Sequence, residues 1–104
     1  MLVIDQTQNN GAAEVFVGDS FRIQLSENPT TGYRWHLQSA VAPALSILED
    51  SFEVAGSAYG SGGVRHWTFV ANNPAVVALR IERKRGWQSQ PVETFETTVT
   101  VKAR

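Results

Sequence analysis

What most constrains this chain is a period-two alternation of apolar and polar residues that returns in one short segment after another. Phe21, Ile23 and Leu25 alternate with Arg22, Gln24 and Ser26, and Tyr33, Trp35 and Leu37 alternate with Arg34, His36 and Gln38. Arg65, Trp67, Phe69 and Ala71 alternate with His66, Thr68 and Val70, and Val77, Leu79 and Ile81 with Ala78, Arg80 and Glu82. In the closing segment, Glu93 to Lys102, Phe95, Val99 and Val101 face inward and Thr94, Glu96 and Thr98 outward. Successive side chains on a strand point to opposite faces, so each segment reads as a strand with one buried face. No long helix competes with this pattern.

Turn chemistry separates the segments. The first, Leu2 to Thr7, runs into Asn9-Asn10-Gly11, whose Asn-Gly pair is usual in tight primed turns. Glu14 to Val17 is a short piece closed by Gly18-Asp19, and Asn72-Asn73-Pro74 forms a later turn. Ala40 to Ser46 reads two ways. Val41, Leu45 and Leu48 would share a helical face with Pro43 near its start, whereas Leu45 to Val54 also reads as a strand with Phe52 and Val54 inward. Counting the early turn as a break within one edge strand gives about seven short strands, with turn signals roughly every 8–12 residues. The expected fold is all-β: an immunoglobulin-like β-sandwich filling one domain over residues 1–104, with a small open barrel as the alternative.

Three connections have unusual composition. The first, Asn28-Pro29-Thr30-Thr31-Gly32-Tyr33, joins a turn-starting Asn, a Pro that fixes φ and a Gly able to take positive φ. It holds no carboxylate, thiol or imidazole and suits occupying a space rather than reacting. The second, residues 55–63, contains four of the eight glycines and ends in Gly60-Ser61-Gly62-Gly63. It is either a plain connection or backbone free to lie close against another surface. The third follows Arg83-Lys84-Arg85 and carries Trp87 between Gly86 and Gln88. That indole is either folded onto the core or offered to a partner, and Trp and Arg are enriched among binding hot spots. In a seven-strand sandwich these are the second, fourth and sixth connections, which emerge at one end.

Composition narrows the function. With no Cys among 104 residues, neither a disulfide framework nor a Cys-based zinc site exists. A net charge of −1 argues against a nucleic-acid surface, and no apolar run approaches the roughly 20 residues that span a bilayer. The opening Met-Leu-Val-Ile-Asp lacks the basic and apolar regions of a signal peptide. His36 and His66 fall on outward faces and read as solvated strand histidines rather than a catalytic pair. There is no Gly-x-Ser-x-Gly turn, no His-Glu-x-x-His or calcium-loop spacing, and no Lys-Ser/Thr after Gly63 to make a phosphate cradle. No cofactor or metal is expected, and a hydrolase has almost no support.

The three motifs, in this order and spacing and in a chain of this length, resemble the chagasin-type inhibitors of papain-like cysteine peptidases. The first motif is highly specific; the third departs from the common form, in which Pro tends to stand at the position of Gly86. The resemblance implies an immunoglobulin-like fold and a non-enzymatic, metal-free, monomeric inhibitor of cathepsin-L-like peptidases. It is compatible with an exported bacterial or a protozoan setting. By resemblance, Thr30, Thr31 and Gly32, flanked by Asn28, Pro29 and Tyr33, would enter beside the catalytic Cys and His of the target. Gly60, Ser61, Gly62 and Gly63 would pair backbone to backbone on the non-primed side, and Arg85 and Trp87 would cover the primed side. From a different class, a non-inhibitory adhesion or carbohydrate-binding sandwich would use Tyr59 and Trp87 as stacking platforms.

Overall fold

A computed structural model describes residues 1–54 and 62–104. Its strands are β1 (Leu2–Ile4), β2 (Gly11–Phe16), β3 (Ser20–Glu27), β4 (Arg34–Leu37), β5 (Leu45–Val54), β6 (Gly63–Ala71), β7 (Ala75–Lys84) and β8 (Glu93–Lys102). They form two four-stranded sheets, β1-β3-β6-β5 and β2-β8-β7-β4. The fold is an all-β sandwich with two distinct sheets, not a barrel. The alternating residues fill the space between the sheets. Phe21, Ile23, Leu25, Trp67, Phe69 and Ala71 come from one sheet, and Trp35, Val77, Leu79, Ile81, Phe95, Val99 and Val101 from the other. The Phe21 and Phe69 rings stack with centroids 5.1 Å apart.

The N-terminal segment accounts for eight strands where the alternation suggests seven. Asn10 takes a φ of 63°, as an Asn-Gly pair permits, but no hairpin follows. Instead the chain crosses between sheets. β1 pairs in parallel with β3, and β2 pairs in parallel with β8. The crossing is fastened by Asn10 N–H donating to the Glu96 carbonyl at 2.7 Å and by Asn9 Oδ1 accepting from Glu96 N–H at 2.9 Å.

Ala42–Ala44 forms a turn rather than the helical option, and the strand reading of Leu45–Val54 holds. A bulge between Ile47 and Glu49 changes its parity. Leu45 and Ile47 lie opposite Ala71 and Phe69, and beyond the bulge Asp50 and Phe52 lie opposite Trp67 and Arg65. Phe52 and Val54 keep the expected register, but β5 is an edge strand with a neighbour on one side only. Val54 is 62% exposed and Phe52 is half-buried, so neither is a core residue.

His66 also departs from expectation. It lies on the outer face of β6 as its parity requires, yet it is only 6% exposed. Ser51 Oγ sits 3.1 Å from Nε2 and Glu49 Oε1 3.3 Å from Nδ1, so side chains from the neighbouring strand cover a ring expected in water. His36 is half-buried near the open side where β4 faces β5.

At the end of β3 the inward parity runs one residue further than the apolar pattern, to Glu27, which is 3% exposed. Its Oε2 accepts the backbone N–H of Trp35 at 2.7 Å, and Oε1 lies 3.9 Å from Nη1 of Arg65. Arg65 is held in turn by Asp50 through Nε at 2.8 Å and lies over the Trp67 ring at 5.5 Å. The Trp35 indole N–H donates to the Ser26 carbonyl at 2.8 Å. A carboxylate of one sheet therefore satisfies an amide at the free edge of the other, where β4 has no strand neighbour. Glu27→Ala leaves that buried amide without a partner, and a loss of about 1–3 kcal/mol is expected as a lower urea midpoint at unchanged slope. Glu27→Gln keeps an acceptor and loses less; equal losses for the two variants would show that the amide bond contributes nothing.

Candidate functional site

Strand direction fixes where the three unusual connections lie. Glu27 is opposite Gly63, Gly63 is opposite Val54, Arg34 is opposite Lys84, and Arg83 is opposite Glu93. The strand ends that flank the three connections, Glu27 and Arg34, Val54 and Gly63, and Lys84 and Glu93, therefore all lie at the same end of the sandwich.

The first loop is braced by its own side chains. Asn28 Oδ1 accepts from Thr30 N–H at 3.1 Å and from the Thr30 hydroxyl at 2.6 Å. The Thr31 hydroxyl donates to the Asn28 carbonyl at 2.8 Å, and Thr31 N–H reaches the same oxygen at 3.2 Å. These bonds hold Pro29–Thr31 in one 3₁₀ turn, with Pro29 supplying a fixed φ at its start. Gly32 then reverses the chain at φ 82°, a conformation that costs an L-residue of order 1 kcal/mol or more. Thr30, Thr31 and Gly32 are exposed at the tip, and Tyr33 is half-buried behind them.

The third loop begins with a β-turn in which Gln88 N–H bonds the Arg85 carbonyl at 3.0 Å and Gln88 Oε1 accepts Arg85 N–H at 2.9 Å. Gly86 occupies the second position of this turn, where Pro is favoured in the common turn types. A Cβ built on Gly86 would meet no heavy atom within 4 Å, so nothing crowds the Cβ of the Pro found in the common form, and Gly leaves the turn with one less restriction. Trp87 projects from the third position and is 80% exposed, which settles its two readings against a core role.

Arg85 ties the first loop to the third. Its guanidinium lies 4.5 Å from the Tyr33 ring centroid and 5.8 Å from that of Trp87, and Nη2 donates to the Thr31 carbonyl at 3.5 Å. Arg83 approaches the same Tyr33 ring at 6.0 Å. A Cβ built on Gly32 would stand 3.7 Å from Arg85 Nε, in contact without overlap. Tyr33 is therefore a spacer between the loops, stacked by cations at separations where cation–π attraction operates.

The second loop joins the first through Gly62, at φ 74°, whose built Cβ would stand 3.4 Å from the Glu27 carbonyl and 3.5 Å from Asn28 Cβ. Gly63 is required for an internal reason: a Cβ there would overlap the Glu53 carbonyl oxygen and meet Phe52 Cζ at 2.8 Å. Of the motif residues, Gly60 and Ser61 lie outside the described residues, as does Tyr59. Asn28, Pro29, Thr30, Thr31, Gly32, Tyr33, Gly62, Gly63, Arg85 and Trp87 are brought together on one rim. Glu27 and Arg65 beneath it were missed from sequence. The available signal was a carboxylate at the inward parity position directly before the motif.

Among the described residues the exposed tips of the rim are the hydroxyls of Thr30 and Thr31, the Gly32 backbone and the Trp87 indole. Among the described residues no group of three or more His, Cys, Asp or Glu side chains is placed to hold a metal ion.

The same architecture recurs in known proteins. A cysteine protease inhibitor of Entamoeba histolytica superposes with a TM-score of 0.82 at 17% identity, over 97% of this chain and 94% of its own. The solution structure of amebosin gives 0.78 at 26% identity, over 97% of both chains. In sequence, chagasin of Trypanosoma cruzi is 24% identical over 105 residues, covering 96% of each chain. The model of the chagasin family of peptidase inhibitors, I42, matches residues 14–101, which include all three rim connections, and the chain belongs to that family.

Proposed function

We infer that the protein is a reversible inhibitor of papain-like cysteine peptidases that blocks the active-site cleft with its three-loop rim. The observation that carries this reading is the convergence of the loops. Tyr33 and Arg85 couple the first to the third, and Gly62 abuts the first at Glu27 and Asn28. Membership of a peptidase-inhibitor family supports an inhibitor over a glycan-binding sandwich.

The chemistry follows from what a thiol peptidase needs. Its thiolate attacks a carbonyl presented in line at roughly 3–3.5 Å. The first loop fills that position with a hydrogen-bonded 3₁₀ turn whose Thr31 hydroxyl and amide both hold the Asn28 carbonyl. The turn is hard to straighten into the extended form that cleavage requires. The backbone at Gly62 and Gly63 supplies close approach on one side, and the Trp87 indole on its Arg85 support supplies apolar contact on the other. The first and third loops are braced by their own hydrogen bonds, and loops so fixed lose little conformational freedom on docking, which favours tight binding from an interface of ordinary size. No covalent step is asked of the inhibitor.

Titration of papain and of a cathepsin-L-like enzyme with the purified protein should give competitive inhibition; its absence at micromolar concentration would refute the reading. Because Trp87 is 80% exposed, Trp87→Ala should weaken binding by about 1–3 kcal/mol while the urea midpoint stays unchanged. Gly86→Pro should tighten binding two- to fivefold, about 0.4–1 kcal/mol, by pre-setting the Arg85–Gln88 turn before docking. Weaker binding by Gly86→Pro would show that the turn must change shape in the complex.

A further inference from the structure

The charges around the rim are distributed unevenly. On the β4–β7 side stand Arg34, Arg83, Lys84 and Arg85. Arg83 pairs with Glu93 at 3.3 Å, and Lys84 with Glu82 at 3.6 Å. Glu82 is shared with Arg80 at 3.0 Å, and Arg80 also pairs with Glu96. Arg34 and Arg85 have no carboxylate partner among the described residues, so this flank carries a surplus of positive charge on a chain whose net charge is −1. On the opposite flank Glu53, beside the second loop, has a side chain 79% exposed and its nearest basic group, His66 Nε2, 4.0 Å away. Residues 55–61 contain no charged side chain, so they do not alter the balance.

Arg34 and Lys84 are directly opposite in the β4–β7 register. Like charges so placed oppose strand pairing, and β4 has only four residues with which to pair. Glu82 offsets Lys84, whereas Arg34 is left without a carboxylate among the described residues, and the pair stands beside the first and third loops, where a partner would dock.

We propose that the flank formed by Arg34, Lys84 and Arg85 is a steering surface that selects papain-like peptidases carrying acidic residues beside the active-site cleft. The proposal rests on the inhibitory reading above and adds the kind of target. A basic flank facing an acidic one accelerates encounter and orients the wedge, while Glu53 on the far side disfavours the reversed approach. Rim charges act mainly on the association rate, and salt screens them.

The test measures association and dissociation rate constants against two papain-like peptidases, one with an acidic and one with a basic cleft margin, at roughly 20 mM and roughly 500 mM salt. The variants are Arg34→Glu and, at the far end of β8, Lys102→Glu, which changes net charge equally. Association of the wild type with the acidic enzyme should fall about tenfold or more at high salt, and Arg34→Glu should lower it about tenfold at low salt, with dissociation within about twofold. Lys102→Glu should leave association within about twofold, and the basic enzyme should show neither effect. Equal slowing by Arg34→Glu and Lys102→Glu, or association with the acidic enzyme independent of salt, overturns the steering surface while inhibition stands. Failure of the wild type to inhibit either enzyme overturns both readings.

Discussion

Antiparallel pairing governs this molecule. β3 runs against β6, β6 against β5, β4 against β7 and β7 against β8, so three connections are forced to one end by strand direction alone. Gly63 lies opposite Glu27 and Lys84 opposite Arg34, so the second and third connections each have one stem beside a stem of the first. Tyr33 fills the gap to Arg85, and Gly62 passes the Glu27 carbonyl without a side chain to hold it away.

Beneath the rim, the two sheets are joined by polar bonds rather than by more apolar packing. Glu27 takes an amide from the free edge of β4, and Arg65 bridges Glu27 to Asp50 across the adjacent strands. A buried carboxylate is costly unless its oxygens are satisfied, and a neutral apolar residue would often serve stability as well. The charged solution supplies direction. It fixes the distance between residues 27 and 35, the two stems of the first loop. The braced turn above them therefore stands on a base of set width. Preorganisation of this kind lets a modest docking area yield useful affinity.

The strands were legible in the sequence because burial alternates locally. Phe21 to Leu25, Trp67 to Ala71 and Val77 to Ile81 needed no knowledge of their partners, and the loop motifs announced themselves by composition. What escaped depended on distant neighbours. Asn10 takes the positive φ of a primed turn but Gly11 does not, and parallel partners at β3 and β8 draw the flanks of the pair into different sheets. His66 has the parity of a solvated residue, and only the arrival of Glu49 and Ser51 on β5 covers it. Glu27 sits at an inward position that a charged residue rarely occupies, and its reason is an amide eight residues on. The loop motifs were readable by composition; the residues that hold them in place were not.

The bulge at Ile47 to Glu49 has a consequence for how the protein behaves in company. β5 is a ten-residue strand on the border of its sheet, with Ile47 and Leu48 open to solvent. An uninterrupted border of that length would present a ladder of free amides and carbonyls to any passing strand. The misstep in register breaks the ladder near its middle, and Glu49, Asp50 and Glu53 place negative charge along the remainder. Side-by-side stacking of copies is thereby discouraged.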